Sequence, residues 1–332
     1  MNGMKINWMF VMVLGILISI QLIPYGITIL FPNLCYGCTS LGKKHQEMNA
    51  AYRMGDILWI SYIILFIYGI ILASSMKNKI LKYTIILVCV YLIYLPVWPI
   101  LVIMNYILSL FYRNPPFIHD YHTIFPASLK IEKNAGAIID EFLSYTKEHT
   151  PSCLRETNPG FKIETNSTPE NCWRAIHLKK IGKINTSMEP YFPTTIQSIK
   201  DPQIHNAFFS ILDPGVEIPP HVGYYKGYLR YHLGVVIPEN TNEKAYLVCG
   251  GEKYIWKTYE GVVFDDLYLH HVKNPTHQKR VVLYLDIKRK SDSSLVRGFN
   301  EVGIYLIENS LLLNLFLKNQ HRQQKIDDSG TG

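Results

Sequence analysis

Charge is scarce in this chain. Lys, Arg, Asp and Glu make up 18% of its 332 residues, against 48% hydrophobic residues, which is more apolar than an ordinary soluble enzyme. The CxxC at Cys35–Cys38 lacks a second CxxC and a histidine pair at finger spacing, which excludes a zinc finger. The net charge is +7, yet the basic residues are scattered and no recognised binding motif interleaves them, so no nucleic acid partner is expected. No internal repeat is present, which excludes a stacked array.

The apolar excess is local. Three runs free of charge, Trp8–Phe31, Ile57–Met76 and Tyr83–Tyr112, reach the roughly 20 residues that a helix needs to cross a bilayer. The first is longer than the apolar core of a signal peptide, and two more runs follow it, so it reads as an anchor. The third is interrupted by Pro96 and Pro99 and reads as one kinked helix or as a span followed by an interfacial piece. The chain is thus expected to be a multi-pass membrane protein. About three transmembrane helices occupy residues 1–112, a soluble domain residues 113–290, and a C-terminal helix with a disordered tail residues 291–332. Lys5, Lys77, Lys79 and Lys82 on one side balance Lys43, Lys44, Arg53 and Arg113 on the other, so the positive-inside rule sets no orientation. Sequons at Asn166 and Asn185, and a Cys153/Cys172 pair bracketing a polar loop, permit a lumenal catalytic domain.

Past Arg113-Asn-Pro-Pro, where consecutive prolines stop a helix, the periodicity predicts a helix over Lys133–Lys147 and a surface loop over His149–Pro169. Short strands are then predicted at Ala207–Leu212, Leu229–Ile237, Ala245–Cys249, Tyr254–Lys257, Val262–Phe264, Tyr268–Val272 and Arg280–Ile287. The fold class expected is mainly β: a double-stranded β-helix, the jelly roll of cupin kind, with flanking helices. The apolar piece Val302–Leu317 shows poor amphipathicity and either lies in a membrane interface or packs on the barrel.

Two stretches carry chemistry, His221–Gly234 (HVGYYKGYLRYHLG) and Phe264–Asn274 (FDDLYLHHVKN), the latter followed by a strand from Arg280. Imidazoles suit iron, zinc or copper. The common iron spelling His-x-Asp/Glu is broken here, because Gly223 stands where the carboxylate is expected. Arg230 and His232 share one strand face, and buried cations need anionic partners. Either Asp265, Asp266 and Asp286 supply them, or a dicarboxylate cosubstrate does, held by guanidinium forks. Only one of His270 and His271 can point at a metal, since neighbouring strand residues face opposite ways.

The elements His221-x-Gly223, Arg230-x-His232-Leu-Gly234, Phe264-Asp265-Asp266 with His270, and Arg280 before a strand ending at Asp286 resemble the aspartyl/asparaginyl β-hydroxylase family, which includes lipid A hydroxylases. The likeness runs from about Phe125 to Lys288. It implies an Fe(II)- and 2-oxoglutarate-dependent dioxygenase that consumes O2 and hydroxylates an unactivated C–H. His221 and His270 would hold the metal, and Arg230, His232 and Arg280 the cosubstrate. No catalytic residue is expected beyond these. Gly223 points to the branch acting on Asp or Asn in a protein or peptide. Asp286-Ile-Lys-Arg289 in place of Trp-His-Pro looks more like the lipid branch. A lipid acyl chain is therefore the alternative substrate, and a non-catalytic binding module the third reading.

Overall fold

The computed structural model describes residues 64, 66–71, 73–75, 78–94, 98–154, 168 and 171–310. The first apolar run and the CxxC lie outside the described residues, as does the tail from residue 311. The chain divides into two compact units, Met1–Tyr106 and Ile107–Gly332.

The proline-bearing run contains two described helices, Lys79–Tyr94 in the first unit and Trp98–Phe111 across the boundary. With 16 and 14 residues, each is shorter than a bilayer-spanning helix. Among the described residues, no helix is long and apolar enough to cross a membrane. Neither described helix by itself supplies the span expected between Tyr83 and Tyr112.

The second unit contains eleven strands, β1 (Phe117–Ile118), β2 (Trp173–Lys180), β3 (Lys183–Ile184), β4 (Ile204–Leu212), β5 (Glu217–His221), β6 (Tyr228–Val236), β7 (Tyr246–Cys249), β8 (Glu252–Ile255), β9 (Gly261–Phe264), β10 (His270–Lys273) and β11 (Arg280–Lys288). They form a seven-stranded sheet, β1-β9-β6-β11-β4-β2-β3, and a four-stranded sheet, β5-β10-β7-β8. From β4 onward the chain winds between the two sheets. The quartets β4-β11-β6-β9 and β5-β10-β7-β8 are the two walls of a double-stranded β-helix, all antiparallel.

Alternation along β11 shows how the sequence builds both faces. Val281, Leu283, Leu285 and Ile287 join the core beneath the helices, with Leu229, Tyr231 and Leu233 of β6. The helices Ala135–Glu148 and Pro193–Ile199 cover that face through residues such as Ile138, Phe142 and Ile196. Val282 instead points between the sheets, toward Leu212, Ile218, Trp256, Phe264 and Val272. The period of two therefore puts Arg280 and Tyr284 on the interior face with Val282. On β6 the same rule turns Arg230 and His232 inward.

The helix predicted over Lys133–Lys147 forms as Ala135–Glu148, and a separate helix, Ala127–Lys133, precedes it across Asn134. Strands β2 and β5 escaped prediction because Lys, Arg and Pro interrupt their apolar pattern. Cys153 and Cys172 form a disulfide with Cα atoms 5.8 Å apart, which settles their pairing. The Asn185 side chain is committed internally. It donates to the His177 carbonyl at 3.1 Å and accepts from Ser187 at 2.7 Å, so that sequon serves a turn.

A buried ionic cluster fastens the chain entering this unit to the loop after β9. Asp265 receives Lys226 Nζ at 2.6 Å, the Leu267 N–H at 3.1 Å and the Asn114 amide at 3.2 Å. Arg289 approaches it at 2.7 Å as an ion pair rather than an aligned hydrogen bond. Burial would raise the Asp265 carboxyl, but Arg289 and Lys226 hold it down to about 2. The substitution Asp265→Ala strands two buried cations. It is expected to cost roughly 3–5 kcal/mol, read as a lower midpoint in urea unfolding, with Asp265→Asn losing part of that.

Candidate functional site

His221 ends β5 and His270 opens β10, and the two residues face each other in the antiparallel register. Their ring centroids are 4.1 Å apart. His221 Nδ1 lies 2.8 Å from the Pro219 carbonyl and His270 Nδ1 lies 3.0 Å from the Tyr268 carbonyl. A carbonyl oxygen only accepts, so each Nδ1 carries the proton and each Nε2 keeps its lone pair. Burial, with each ring's charge opposing the other's, pushes His221 down to about 3, and burial pushes His270 down to about 4. Both imidazoles are therefore neutral at physiological pH, the form that ligates a metal. His271 faces the other way, against Tyr246.

The missing carboxylate has a structural counterpart. A Cβ at Gly223 would lie 2.0 Å from Asp266 Oδ2 and 2.3 Å from its Cγ. The Asp266 carboxylate thus fills the volume that a side chain at 223 would need. Its backbone carbonyl accepts from the Gly223 N–H at 2.7 Å, which locks the two segments together. Asp266 Oδ2 meets Arg230 at 2.8 Å, while Oδ1 is buried without a hydrogen-bond partner. Burial raises its pKa, against the pull of Arg230.

Arg230 is saturated. It is clasped by Asp266 on one side and Asp286 on the other, and Asn206 steadies Asp286 at 2.6 Å. Burial works against its charge, yet the two carboxylates lift its pKa well above the usual value. The expectation that Arg230 waits for a cosubstrate gives way here to internal pairing.

Arg280 is the opposite case. It is 1% exposed, and its polar contacts are the Ser210 carbonyl at 3.2 Å and hydroxyl at 3.4 Å. Its guanidinium lies 4.8 Å from the Trp256 ring centroid. Among the described residues no carboxylate pairs with it, and burial alone brings its pKa down to about 9. Four buried polar atoms here lack hydrogen-bond partners: Arg280 Nε, Trp256 Nε1 and both ring nitrogens of His232. An unpaired cation beside unsatisfied donors is costly, and a carboxylate would satisfy Arg280, Trp256 and the one protonated nitrogen of the neutral His232 ring. Ser210, Trp256 and the occupancy of Gly223 by Asp266 were not singled out from sequence. The glycine at the carboxylate position was the one signal that a group from elsewhere must come in.

These residues fit a divalent metal and an anionic cosubstrate. Among the described residues no cluster of three or more His, Cys, Asp or Glu side chains forms a ready metal site, so the protein donors converging here are the two imidazoles. The buried histidines also set the acid limit of the fold. His205, stacked on Tyr228, is pushed down to about 3, first by burial and then by the charges of Lys288, Lys179 and Arg230. Glu308 lies 3.6 Å from it and offsets part of the penalty. Unfolding returns this ring to its ordinary pKa of 6.5. Stability is therefore full above that pH and declines as pH falls from there toward 3, by up to about 2 kcal/mol at pH 5. Urea midpoints compared at pH 7.5 and pH 5 check this, and His205→Gln should reduce the difference by this ring's share, leaving that of His221, His270 and His232.

The second unit is thus a double-stranded β-helix whose interior carries two converging neutral imidazoles and a buried guanidinium with no carboxylate partner among the described residues. Residues 132–290 match the family described as Aspartyl/Asparaginyl beta-hydroxylase. The chain is 33% identical over 180 residues to "Ornithine lipid ester-linked acyl 2-hydroxylase" of Rhizobium tropici, covering 52% of this chain and 60% of that protein. It is 30% identical over 167 residues to "Aspartate beta-hydroxylase domain-containing protein 2" of Xenopus tropicalis, covering 47% and 43%. Over 79 residues it is 33% identical to "Aspartyl/asparaginyl beta-hydroxylase" of Homo sapiens, covering 24% and 10%. The chain thus spans 60% or less of the length of these relatives.

Proposed function

We propose that this protein is a membrane-anchored hydroxylase that uses Fe(II), 2-oxoglutarate and O2 to insert oxygen into an unactivated C–H. The observation that carries this reading is the placement of His221 and His270 ring to ring, on the same interior as the unpaired Arg280. His221 and His270 hold the metal through Nε2, their backbone-bound Nδ1 atoms fixing the tautomer. Asp266 sits where a third ligand would stand, and its unpartnered Oδ1 orients a water there. Arg280, helped by Ser210, His232 and Trp256, takes a carboxylate of the cosubstrate. Iron, when bound, supplies the oxidising chemistry. The protein contributes a dry, aromatic-walled interior and fixed orientation.

The family description points to Asp or Asn side chains as substrate, and the sequence motifs at Gly223 favour that branch. One observation favours an acyl chain instead. Arg230 is neutralised by Asp266 and Asp286, so among the described inward-facing residues Arg280 is the guanidinium left for a carboxylate, and the cosubstrate requires it. An aspartyl side chain would meet no matching cation. The relative from Rhizobium tropici bears the name of a lipid acyl hydroxylase. The Cys153–Cys172 bridge supports an oxidising, lumenal or extracellular setting for the domain.

Incubating the full chain with Fe(II), 2-oxoglutarate and either acylated lipids or Asp- and Asn-containing peptides, then weighing the products, tests the proposal. A lipid heavier by one oxygen atom is expected. An oxygenated peptide with untouched lipid would return the substrate to the protein class. No 2-oxoglutarate turnover with either would leave a binding module.

A further inference from the structure

The helix Ser294–Glu308 has two apolar faces, and the fold uses one of them. Ser293 caps its start by accepting from the Val296 N–H. Val296, Asn300, Gly303, Ile304 and Ile307 are buried against the barrel. Leu295, Phe299, Val302 and Leu306 recur at the spacing of a second stripe, which adjoins the buried one about a third of a turn round the helix, with Phe299 and Leu306 half-buried. Leu295 is 75% exposed and Val302 54%, with Tyr305 flanking them at 61%. Arg297 and Glu301 separate the two faces on one side. A solvent-facing helix side is ordinarily polar, and this one is not.

Three features identify what covers the stripe. The sequence runs on from the helix end as Leu-Leu-Leu-Asn-Leu-Phe-Leu, residues 311–317. The second unit opens with the apolar residues Ile107–Tyr112. Leu110 and Phe111 are exposed among them, and the next residue, Tyr112, feels the charges of Arg297 and Glu301 and stacks 5.4 Å from Arg289. Lys288 at this end is held by Glu301 at 3.5 Å, which leaves the exposed Lys290 and Arg297 to meet anionic headgroups.

The inner face grips the loop that starts at His221. Asn300 donates to the Gly227 carbonyl at 3.2 Å, and Tyr225 Oη donates to the Asn300 carbonyl at 3.2 Å. The packing is tight enough that a Cβ at Gly227 would stand 1.9 Å from Asn300 Oδ1.

We propose that the stripe Leu295–Phe299–Val302–Leu306 is a bilayer-docking face, which lies in the headgroup–acyl boundary and sets the His221 loop at the membrane surface. This rests on the reading of the chain as a membrane-anchored lipid hydroxylase, and it assigns the surface by which that enzyme meets its substrate.

The test uses the full chain reconstituted into vesicles of phosphatidylcholine and phosphatidylglycerol in equal parts, doped with a diazirine-bearing phospholipid. After irradiation, lipid adducts are mapped by peptide mass spectrometry. Adducts are expected on the stripe residues, with none on the helix Ala135–Glu148, although its Leu143 is also exposed. Leu295→Glu with Val302→Glu should lower adduct yield about ten-fold while leaving the 2-oxoglutarate titration of the bound metal unchanged. A stripe without adducts overturns the proposal, whether residues 311–317 or a protein partner cover it. Equal labelling of Leu143 overturns it too. Adducts on the stripe without an oxygenated lipid keep the docking face and remove the lipid substrate. An oxygenated lipid without adducts does the reverse.

Discussion

His270→Ala is expected to abolish both the Fe(II)-induced spectrum and 2-oxoglutarate turnover, and His221→Ala is expected to do the same. The two rings are the protein nitrogens converging at the site, so losing either leaves one imidazole and a carboxylate already engaged with Arg230. Loss of an outer-shell partner of a metal ligand typically costs 10–100-fold in affinity, so loss of a ligand itself should exceed about 100-fold. Anaerobic Fe(II) titration reads the binding step without any substrate. The variants should fold, because each deletion empties a pocket rather than stranding a charge. His271→Ala is the matched control and should bind iron normally, since that ring packs against Tyr246. Turnover by both ligand variants at the wild-type rate would end the oxygenase reading.

Arg280→Met should separate stability from binding. In the free protein this guanidinium is buried, without a carboxylate partner among the described residues, and held by Ser210 and the Trp256 face. Removing an uncompensated buried charge should leave the fold within about 1 kcal/mol of wild type or raise its stability. Cosubstrate affinity should fall by roughly 2–5 kcal/mol, the usual cost of breaking a buried charge-assisted pair. Thermal unfolding with and without 2-oxoglutarate reads both effects. At about a hundred times Kd the ligand should stabilise the wild type by roughly 2.7 kcal/mol, and the variant should not respond. A destabilised variant that still responds would place the cosubstrate elsewhere. Arg230→Met should behave differently, because it strands Asp266 and Asp286 and is expected to unfold the interior.

Much of this site was legible from the sequence, for a physical reason. Strand alternation fixes which side chains share a face, so the pairing of Arg230 with His232 followed from spacing, as did the rule that only one of His270 and His271 can face a metal, while the choice of His270 came from the family resemblance. Partner choice did not follow. Nothing in the order of residues says that Arg230 is satisfied within the chain while Arg280 is not, because both pairings depend on register between strands distant in sequence. Asp266 replacing a side chain at Gly223 is a contact between two loops and has no local signature. Trp256 looked like one more strand aromatic. At the C-terminus, reading the apolar piece from Val302 hid its amphipathicity. The helix begins at the Ser293 cap, and from there both faces are regular. The proline-bearing run before the domain shows the converse limit, since composition measured its length but not the bounds of its described helices.

The short segment leading into the barrel matters for how the domain can be isolated. β1 adds an outer strand beside β9, Tyr268 donates to the Asn114 carbonyl at 2.8 Å, and Asn114 also contacts Asp265 and Arg289. Trimming a recombinant fragment to the first residue of β2 would peel the edge from the larger sheet and loosen the loop that presents His270. A cut before Tyr112 keeps both intact.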